Sequence, residues 1–403
     1  MTWLDDTLIV VAVIAFAVLI SGPVRRNRNW LATVTPLASI IGSGFLVSVP
    51  LLASAIGIWA IPAVIGLTLL AFLIGGAIRY NIRYGEPEFE SVEAGHPLKS
   101  FETMSHLVLI GAYFISVAYY LVLLAAFGLK LLGWEDPLLG KVVATVIISS
   151  ICLLGATKGL QGVERAEVFT VSANLAAIAA LLAGLVIFGT TLPQGYSWTA
   201  SAVPHHFDWN SLRFLMGLLI IVQGFETTRF MGDLYDGETR IKAMTRAQIV
   251  SSIVYVIFFL LMIPLFPFFT STADVAGFIG VIGRVTPWLP FIVTAGAIAS
   301  QFSASVADSI GASELVSDTT HKHITPRHAY VVIGAVAVSV IWATDVVSIV
   351  SLASRAFALF YALQCIVAVL VARRRGDNGK AVWFTLLAVL TFALAVLGVP
   401  AGA

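Results

Sequence analysis

Residues 39–46 read Ser39-Ile40-Ile41-Gly42-Ser43-Gly44-Phe45-Leu46 and interrupt an apolar segment that is long enough to span a bilayer. In hydrocarbon every backbone N–H and C=O must be paired, so irregular backbone survives only where protein or a water-filled cavity satisfies it. Two glycines around a serine, with Pro36 before and Pro50 after them, predict a helix that unwinds at mid-depth. Such a break would leave backbone N–H groups free to bind an anion and backbone carbonyl groups free to bind a cation.

Composition indicates a membrane protein. The 403-residue chain is 59% apolar and 11% charged, with a mean hydropathy of +0.96, which excludes an ordinary soluble domain. Apolar runs of about 20 residues, the length that crosses a hydrocarbon core of about 30 Å, recur along the whole chain. The net charge of +1 gives no sign of a nucleic-acid partner. The sequence contains no catalytic constellation and no phosphate-binding loop, so it predicts neither an enzyme nor a bound cofactor.

The apolar segments and the basic residues together predict a topology. We expect about twelve spans, at residues 5–23, 31–54, 58–78, 102–132, 140–156, 164–189, 211–231, 247–268, 286–312, 329–345, 347–372 and 380–398. If the loop that contains Arg25, Arg26 and Arg28 is cytoplasmic, alternation leaves only Lys130, Lys141, Arg213 and Arg284 on the opposite side. The positive-inside rule therefore predicts a multi-pass protein of the cytoplasmic membrane with both termini extracytoplasmic.

A second interrupted segment lies five spans later and runs in the opposite direction. It covers residues 217–232 and contains Gln223-Gly224-Phe225-Glu226-Thr227-Thr228. Two broken helices of opposite direction, five helices apart, are typical of a five-plus-five inverted repeat. We therefore expect an additional helix and basic loop at 1–29, repeats at 30–190 and 191–375, and a peripheral helix at 376–403.

These motifs carry a family resemblance. Gly42-Ser43-Gly44-Phe45 resembles the G-S-G-I-F element in the first core helix of the amino acid–polyamine–organocation (APC) superfamily, and Gly224-Phe225-Glu226 resembles the G-F-E of its sixth. Residues 236–240, 296–318 and 355–375 are similar to the loop after the sixth helix and to the eighth and tenth helices. The resemblance implies the leucine-transporter (LeuT) fold, an all-α membrane protein with discontinuous first and sixth core helices, and secondary transport of amino acids or related solutes.

The two interrupted segments supply the candidate substrate site. We expect backbone N–H groups there to face the solute, and Phe45 and Phe225 to form apolar walls. The alternative for the glycines is close helix packing. Glu226 has two interpretations: a gating or protonated carboxylate, or a structural group that caps freed N–H groups or pairs with Arg229. The candidate substrate-binding residues are Ser39, Gly42, Ser43, Gly44, Phe45, Gln223, Gly224, Phe225, Glu226 and Thr227.

A second set of residues is expected to bind or couple an ion. By resemblance to sodium-coupled relatives, Ser303 is the main candidate Na⁺ ligand, completed by carbonyls such as that of Ile40. Asp308 is either a coupling carboxylate or simply wetted or paired, and the serines could instead bond their own i−4 carbonyls. Proton-coupled relatives often carry a lysine where this chain has Asn174. The candidate ion-binding or coupling residues are Ile40, Asn174, Glu226, Ser300, Ser303 and Asp308.

The sequence thus predicts a secondary transporter that moves an amino acid or similar small organic solute by alternating access, with Na⁺ or H⁺ as the candidate coupling ion. A carrier of an inorganic cation, or a channel or solute sensor on the same scaffold, remains the alternative. The expected partners are the solute and the lipid bilayer.

Overall fold

Helices make up most of the part of the chain that the structure describes. The computed structural model describes residues 3–89, 91–93, 95–158, 164–199, 207–269, 271, 274 and 276–400; for residues 43 and 164–167 it describes the backbone alone. Within these ranges there are α-helices and short 3₁₀ and π turns, without strands. The α-helices are α1 (Trp3–Leu19), α2 (Gly22–Arg25), α3 (Arg28–Ile56), α4 (Ala60–Tyr80), α5 (Glu86–Phe89), α6 (Pro97–Leu131), α7 (Pro137–Lys158), α8 (Glu164–Thr190), α9 (Trp209–Met216), α10 (Gly237–Met262), α11 (Gly277–Ile282), α12 (Leu289–Thr319), α13 (Pro326–Ala343), α14 (Val346–Arg374) and α15 (Asn378–Leu397).

Within the described ranges, nine helical stretches are long and apolar enough to cross a membrane. The all-helical, multi-pass prediction is therefore confirmed. The count of about twelve stays a prediction. One stretch, Arg28–Phe89, contains two of the expected spans, α1 has only 17 residues, and the expected span at 211–231 is divided into short helices.

The first core helix, α3, is continuous. It begins after Asn27, whose side chain accepts hydrogen bonds from the N–H groups of Asn29 and Trp30, and it runs unbroken to Ile56 through both prolines. The prediction that it unwinds at residues 39–46 is therefore wrong. The two glycines there serve close packing instead: a Cβ on Gly42 would lie 2.7 Å from Ser300 Oγ, and a Cβ on Gly44 would lie 2.5 Å from the Cα of Ile221.

The predicted break in the sixth core helix is confirmed. After α9 the backbone forms a 3₁₀ turn, Leu219–Val222, is extended at Gln223, and resumes as the 3₁₀ helix Phe225–Phe230. Gly224 joins the two pieces with a φ of +117°, a conformation that other residues rarely adopt. Its Cα also lies against α3, since a Cβ there would be 2.6 Å from the carbonyl carbon of Ser39. We call residues 217–227 the break.

Several helices pack against α3 and the break. α3 packs against α10, the two 3₁₀ pieces and α12, while α6 packs against both α12 and α14. The additional helix α1 lies on the outside of α8, and the side chain of Asp5 accepts a hydrogen bond from the hydroxyl of Thr286. α15 packs along α14 at the periphery. The division into repeats at 30–190 and 191–375 stays a prediction.

Candidate functional site

Glu226 is the central polar group at the break. Its Oε2 accepts hydrogen bonds from the Gly224 N–H at 2.9 Å and from the Tyr361 hydroxyl at 2.7 Å, and the residue is 0% exposed. The structural interpretation that Glu226 caps a freed N–H is therefore confirmed, whereas pairing with Arg229 is wrong, because Arg229 bonds other residues. Among the described residues Oε1 has no hydrogen-bond partner. A buried carboxylate oxygen without a donor is costly, which makes this atom the natural acceptor for a ligand or a proton.

Buried aromatic rings pack against both interrupted segments. Phe225 stacks on Tyr361 with ring centroids 5.1 Å apart and an interplanar angle of 15°. Phe45 of α3 stacks on Phe258 at 4.2 Å and meets Tyr255 edge-on at 5.2 Å. All five rings are buried. The role of Phe45 and Phe225 as apolar walls of a solute site stays a prediction. In this conformation the site is closed to solvent.

Two side chains from neighbouring helices hold the break in place. Gln223 Nε2 donates to the Tyr120 hydroxyl of α6 at 2.9 Å. The Tyr255 hydroxyl of α10 makes a short hydrogen bond to the Ile221 carbonyl and lies 3.3 Å from the Ile40 carbonyl of α3. Tyr255 therefore bridges the two elements that the sequence brings into one site. Sequence reasoning missed this residue, since a tyrosine inside an apolar span gives no local sign of its partners.

The remaining candidates at the two interrupted segments lie against each other. The Ser39 side chain lies beside Gly224, and Thr227 Oγ1 donates to the Gly224 carbonyl at 2.7 Å. The side chain of Ser43 lies outside the described residues. The structure thus brings the candidate substrate residues of α3 and the break together, but it does so through close packing. Their roles in binding stay predictions.

A second polar cluster joins α3, α8 and α12. Asn174 Nδ2 donates to Ser300 Oγ at 3.1 Å, and that oxygen lies directly over Gly42. Gln301 Nε2 donates to the Gly42 carbonyl at 2.7 Å. Ser303 is half-buried and makes no hydrogen bond among the described residues. Ser300, rather than Ser303, therefore lies where α3 and α8 meet, and the proposed Na⁺ ligation by Ser303 stays a prediction.

Asp308 lies where α12 packs against α6. It is 8% exposed and accepts a short hydrogen bond from the Ser116 hydroxyl of α6. Asp308 is thus paired rather than wetted. Ser116 lies one helical turn before Tyr120, the residue of α6 that contacts Gln223, so Asp308 lies near the break.

A buried ionic network lies next to Glu226 on the side that the charge pattern predicts to be cytoplasmic. Arg229 Nη2 contacts Glu102 Oε1 of α6 at 2.5 Å, and Arg229 Nη1 donates to Gln364 Oε1 of α14 at 3.0 Å. Gln364 Nε2 in turn donates to Glu102 Oε2 at 3.1 Å and to Ser105 Oγ at 2.8 Å. We call Arg229, Glu102 and Gln364 the ionic latch.

Side chains from α10 and from the segment after α4 form hydrogen bonds with the ionic latch. Arg240 of α10 donates to the Arg229 carbonyl at 2.9 Å and makes two hydrogen bonds to the Glu86 carboxylate, at 2.8 and 2.6 Å. Asn81 Nδ2 donates to the Gln364 carbonyl at 2.8 Å. Sequence reasoning missed the latch. Its signal was the presence of Glu102 and Arg229 within two expected spans, because intramembrane charges must find partners.

Comparison with known proteins agrees with this architecture. A family model described as an APC superfamily transporter matches residues 22–398. The chain is also 36% identical over 400 residues to a protein of Aquifex aeolicus (strain VF5) that is described as uncharacterized, and the match covers 98% of this chain and 97% of the relative. The resemblance identified from the motifs is therefore confirmed. The chain belongs to the APC superfamily of transporters and is a membrane-spanning protein.

Proposed function

We propose that this protein is a secondary active transporter of the LeuT type that moves an amino acid or related small organic solute across the cytoplasmic membrane by alternating access. The observation that carries the proposal is the Oε1 atom of Glu226. It lies at a helix break, is closed to solvent and has no donor among the described residues. Helix breaks near the midplane are where transporters of this architecture hold their solutes.

The chemistry of the site favours a solute that carries an ammonium group. An ammonium has three donors and no acceptor, and Glu226 Oε1 offers a desolvated acceptor. The stacked rings of Phe225 and Tyr361 lie next to this carboxylate and give the solute an apolar wall. A zwitterionic amino acid or a small amine fits this environment better than a simple anion, which would meet a carboxylate without compensation.

The ionic latch gives alternating access a physical basis. Arg229 lies in the same short 3₁₀ helix as Glu226, three residues further along, and it joins that helix to α6 and α14. A solute that repositions this helix must therefore strain or release the latch on the predicted cytoplasmic side. Twelve spans, inverted repeats and extracytoplasmic termini belong to this proposal as well.

For the coupling ion we favour a proton over Na⁺. A cation that used the carbonyls of α3 would have to displace the side chains that donate to them, Tyr255 at Ile40 and Gln301 at Gly42. A proton needs only one carboxylate, and Glu226 and Asp308 are both buried near the break. A sodium site at Ser303 is the competing proposal.

Uptake into proteoliposomes tests the proposal. Purified protein would be assayed with labelled amino acids, amines and monovalent cations while sodium and proton gradients are imposed separately. We expect saturable, trans-stimulated uptake of an amine-bearing solute that is driven by a proton gradient. Glu226→Gln, which keeps the shape of the side chain, should lower kcat/KM at least tenfold, while the exposed control Glu93→Gln should not. Currents that grow with voltage without saturation or counterflow would instead identify a channel.

A further inference from the structure

A basic cavity lies away from the proposed solute site, between the predicted cytoplasmic ends of α4 and α14 and the start of α10 and α15. Its volume is about 530 Å³. The ionisable lining residues, leaving tyrosines aside, are four cations and one carboxylate: Arg79, Arg83, Arg375, Lys380 and Asp377. The cavity therefore presents an excess of positive charge at the edge of the bilayer.

Most of these cations form no salt bridge with a carboxylate of the described residues. Arg83 pairs with Glu238 at 2.6 Å. Arg79, Arg375 and Lys380 form no salt bridge with a carboxylate in the part of the chain that the structure describes. The Asp377 side chain caps α15 by accepting the Lys380 N–H at 3.0 Å. Three cations thus line the cavity without a salt bridge, and the single negative charge of Asp377 offsets only one of them.

Two of the guanidinium groups are held in fixed positions. Arg79 donates to Gln248 Oε1 at 2.5 Å and to the Phe72 carbonyl at 3.1 Å, and its guanidinium lies 4.7 Å from the Phe72 ring centroid. Arg375 lies over the Tyr84 ring at 4.2 Å. Cation–π contacts of this kind hold the charge in place without neutralising it. Two of the cations are therefore already in fixed positions, which favours the binding of an anion with several oxygen acceptors.

The surroundings of the cavity indicate a lipid rather than a soluble anion. Trp383, at the cavity edge, is 41% exposed, as is typical of aromatic side chains at the membrane interface. The helices that form the cavity also present apolar side chains outside it: Leu69 of α4 is 56% exposed and Leu386 of α15 is 59% exposed. Leu69 precedes Arg79 by ten residues, or about 15 Å along a helix axis, which is close to the hydrocarbon depth of one leaflet, about 15 Å.

We propose that the basic cavity binds the phosphodiester headgroup of an anionic phospholipid of the cytoplasmic leaflet, with an acyl chain lying against the exposed apolar side chains of α4 and α15. Basic pockets between spans on this side of a membrane are suited to such headgroups. The site is separate from Glu226, so this proposal does not depend on the solute or on transport.

Native mass spectrometry of the full-length protein, with phosphatidylglycerol or phosphatidylcholine added, tests the proposal. We expect the wild type to bind phosphatidylglycerol at least tenfold more tightly than phosphatidylcholine. The double variant Arg375→Gln/Lys380→Gln should lose this preference. The control Arg327→Gln/Arg373→Gln removes the same charge on the same predicted side but does not line the cavity, and it should keep the preference. Equal preference in all three proteins would overturn the proposal.

Two further measurements distinguish a lipid site from a site for a free anion and provide a milder variant. Inorganic phosphate at millimolar concentration should not displace phosphatidylglycerol, and full displacement would identify a site for a free anion instead of a lipid. If the double variant unfolds early in a thermal scan, the single variant Lys380→Gln replaces it, because that side chain is exposed and forms no salt bridge with a described residue. It should weaken phosphatidylglycerol binding, and unchanged binding would count against the lipid site.

Discussion

Gly44 offers the sharpest test of how α3 packs against the break. A methyl group added there would place its carbon 2.5 Å from the Cα, 2.7 Å from the Cβ and 2.8 Å from the Cγ2 of Ile221. Favourable carbon–carbon contacts lie at about 3.5–4.0 Å, so either α3 or the 3₁₀ turn Leu219–Val222 must move by about 1 Å. Since the nearest atom belongs to the backbone, a change of rotamer cannot relieve the contact.

The expected size of the effect follows from two opposing terms. Overpacking of a well-packed interior costs about 1–3 kcal/mol, whereas replacing glycine by alanine within a helix gains up to about 1 kcal/mol. Gly111 of α6 is the matched control, because a Cβ there would meet nothing within 4 Å. Gly111→Ala should therefore show only the gain in stability that comes from replacing glycine by alanine in a helix. We expect Gly44→Ala to be less stable than Gly111→Ala by about 1–3 kcal/mol.

Thermal unfolding in detergent and uptake into proteoliposomes would be measured on both variants. Gly44→Ala should insert into the membrane, unfold at a lower temperature than Gly111→Ala and lose most of its transport, because the displaced turn leads into Gln223 and Gly224. If Gly44→Ala were as stable as Gly111→Ala and transported normally, the close contact between α3 and the break would be refuted. The structural explanation for the two glycines would be refuted with it.

Three further variants test the contacts around Glu226. Tyr361→Phe removes the hydroxyl that donates to the buried carboxylate and should lower the free energy of unfolding by about 1.5–3 kcal/mol. It should also raise the KM for the solute, and an unchanged KM would show that Tyr361 does not contribute to solute binding. Arg229→Gln leaves Glu102 buried without its cation and should destabilise the protein by about 3–5 kcal/mol, and adding Glu102→Gln should restore part of that loss in the same unfolding assay. Gly224→Ala places a side chain at a φ of +117° and should lower stability by at least about 1 kcal/mol, a loss that normal unfolding would contradict.

The break could be predicted from sequence because its cause is local. A glycine followed by phenylalanine and glutamate inside an apolar span marks a place where the helix ends and its backbone needs another partner. Gly224 supplies the positive φ, and Glu226 caps the N–H that the break releases. Both residues lie within the same few positions of the chain.

The behaviour of α3 could not be predicted in the same way. Gly42 and Gly44 are compatible with an unwound segment and with a closely packed helix, and the choice depends on Ser300 and Ile221, which lie far away in the sequence. The ionic latch could not be predicted for the same reason, because Glu102, Arg229 and Gln364 come from three segments that are distant in the sequence. Sequence can show that each charge needs a partner, but only the packing of α6, the 3₁₀ helix Phe225–Phe230 and α14 determines which one it finds.

A continuous α3 changes how the site can recognise charge. An unwound segment at 39–46 would have offered free N–H groups to an anion, whereas a helix keeps its interior N–H groups bonded to the preceding turn. What α3 offers beyond its own helix is carbonyl oxygen, at Ile40 and Gly42, each already meeting a side-chain donor. Across from it lies Oε1 of Glu226, which has no hydrogen-bond partner among the described residues. Acceptor oxygens thus lie on both sides of the site, which supports the proposal that it receives a positively charged group, an ammonium or a proton.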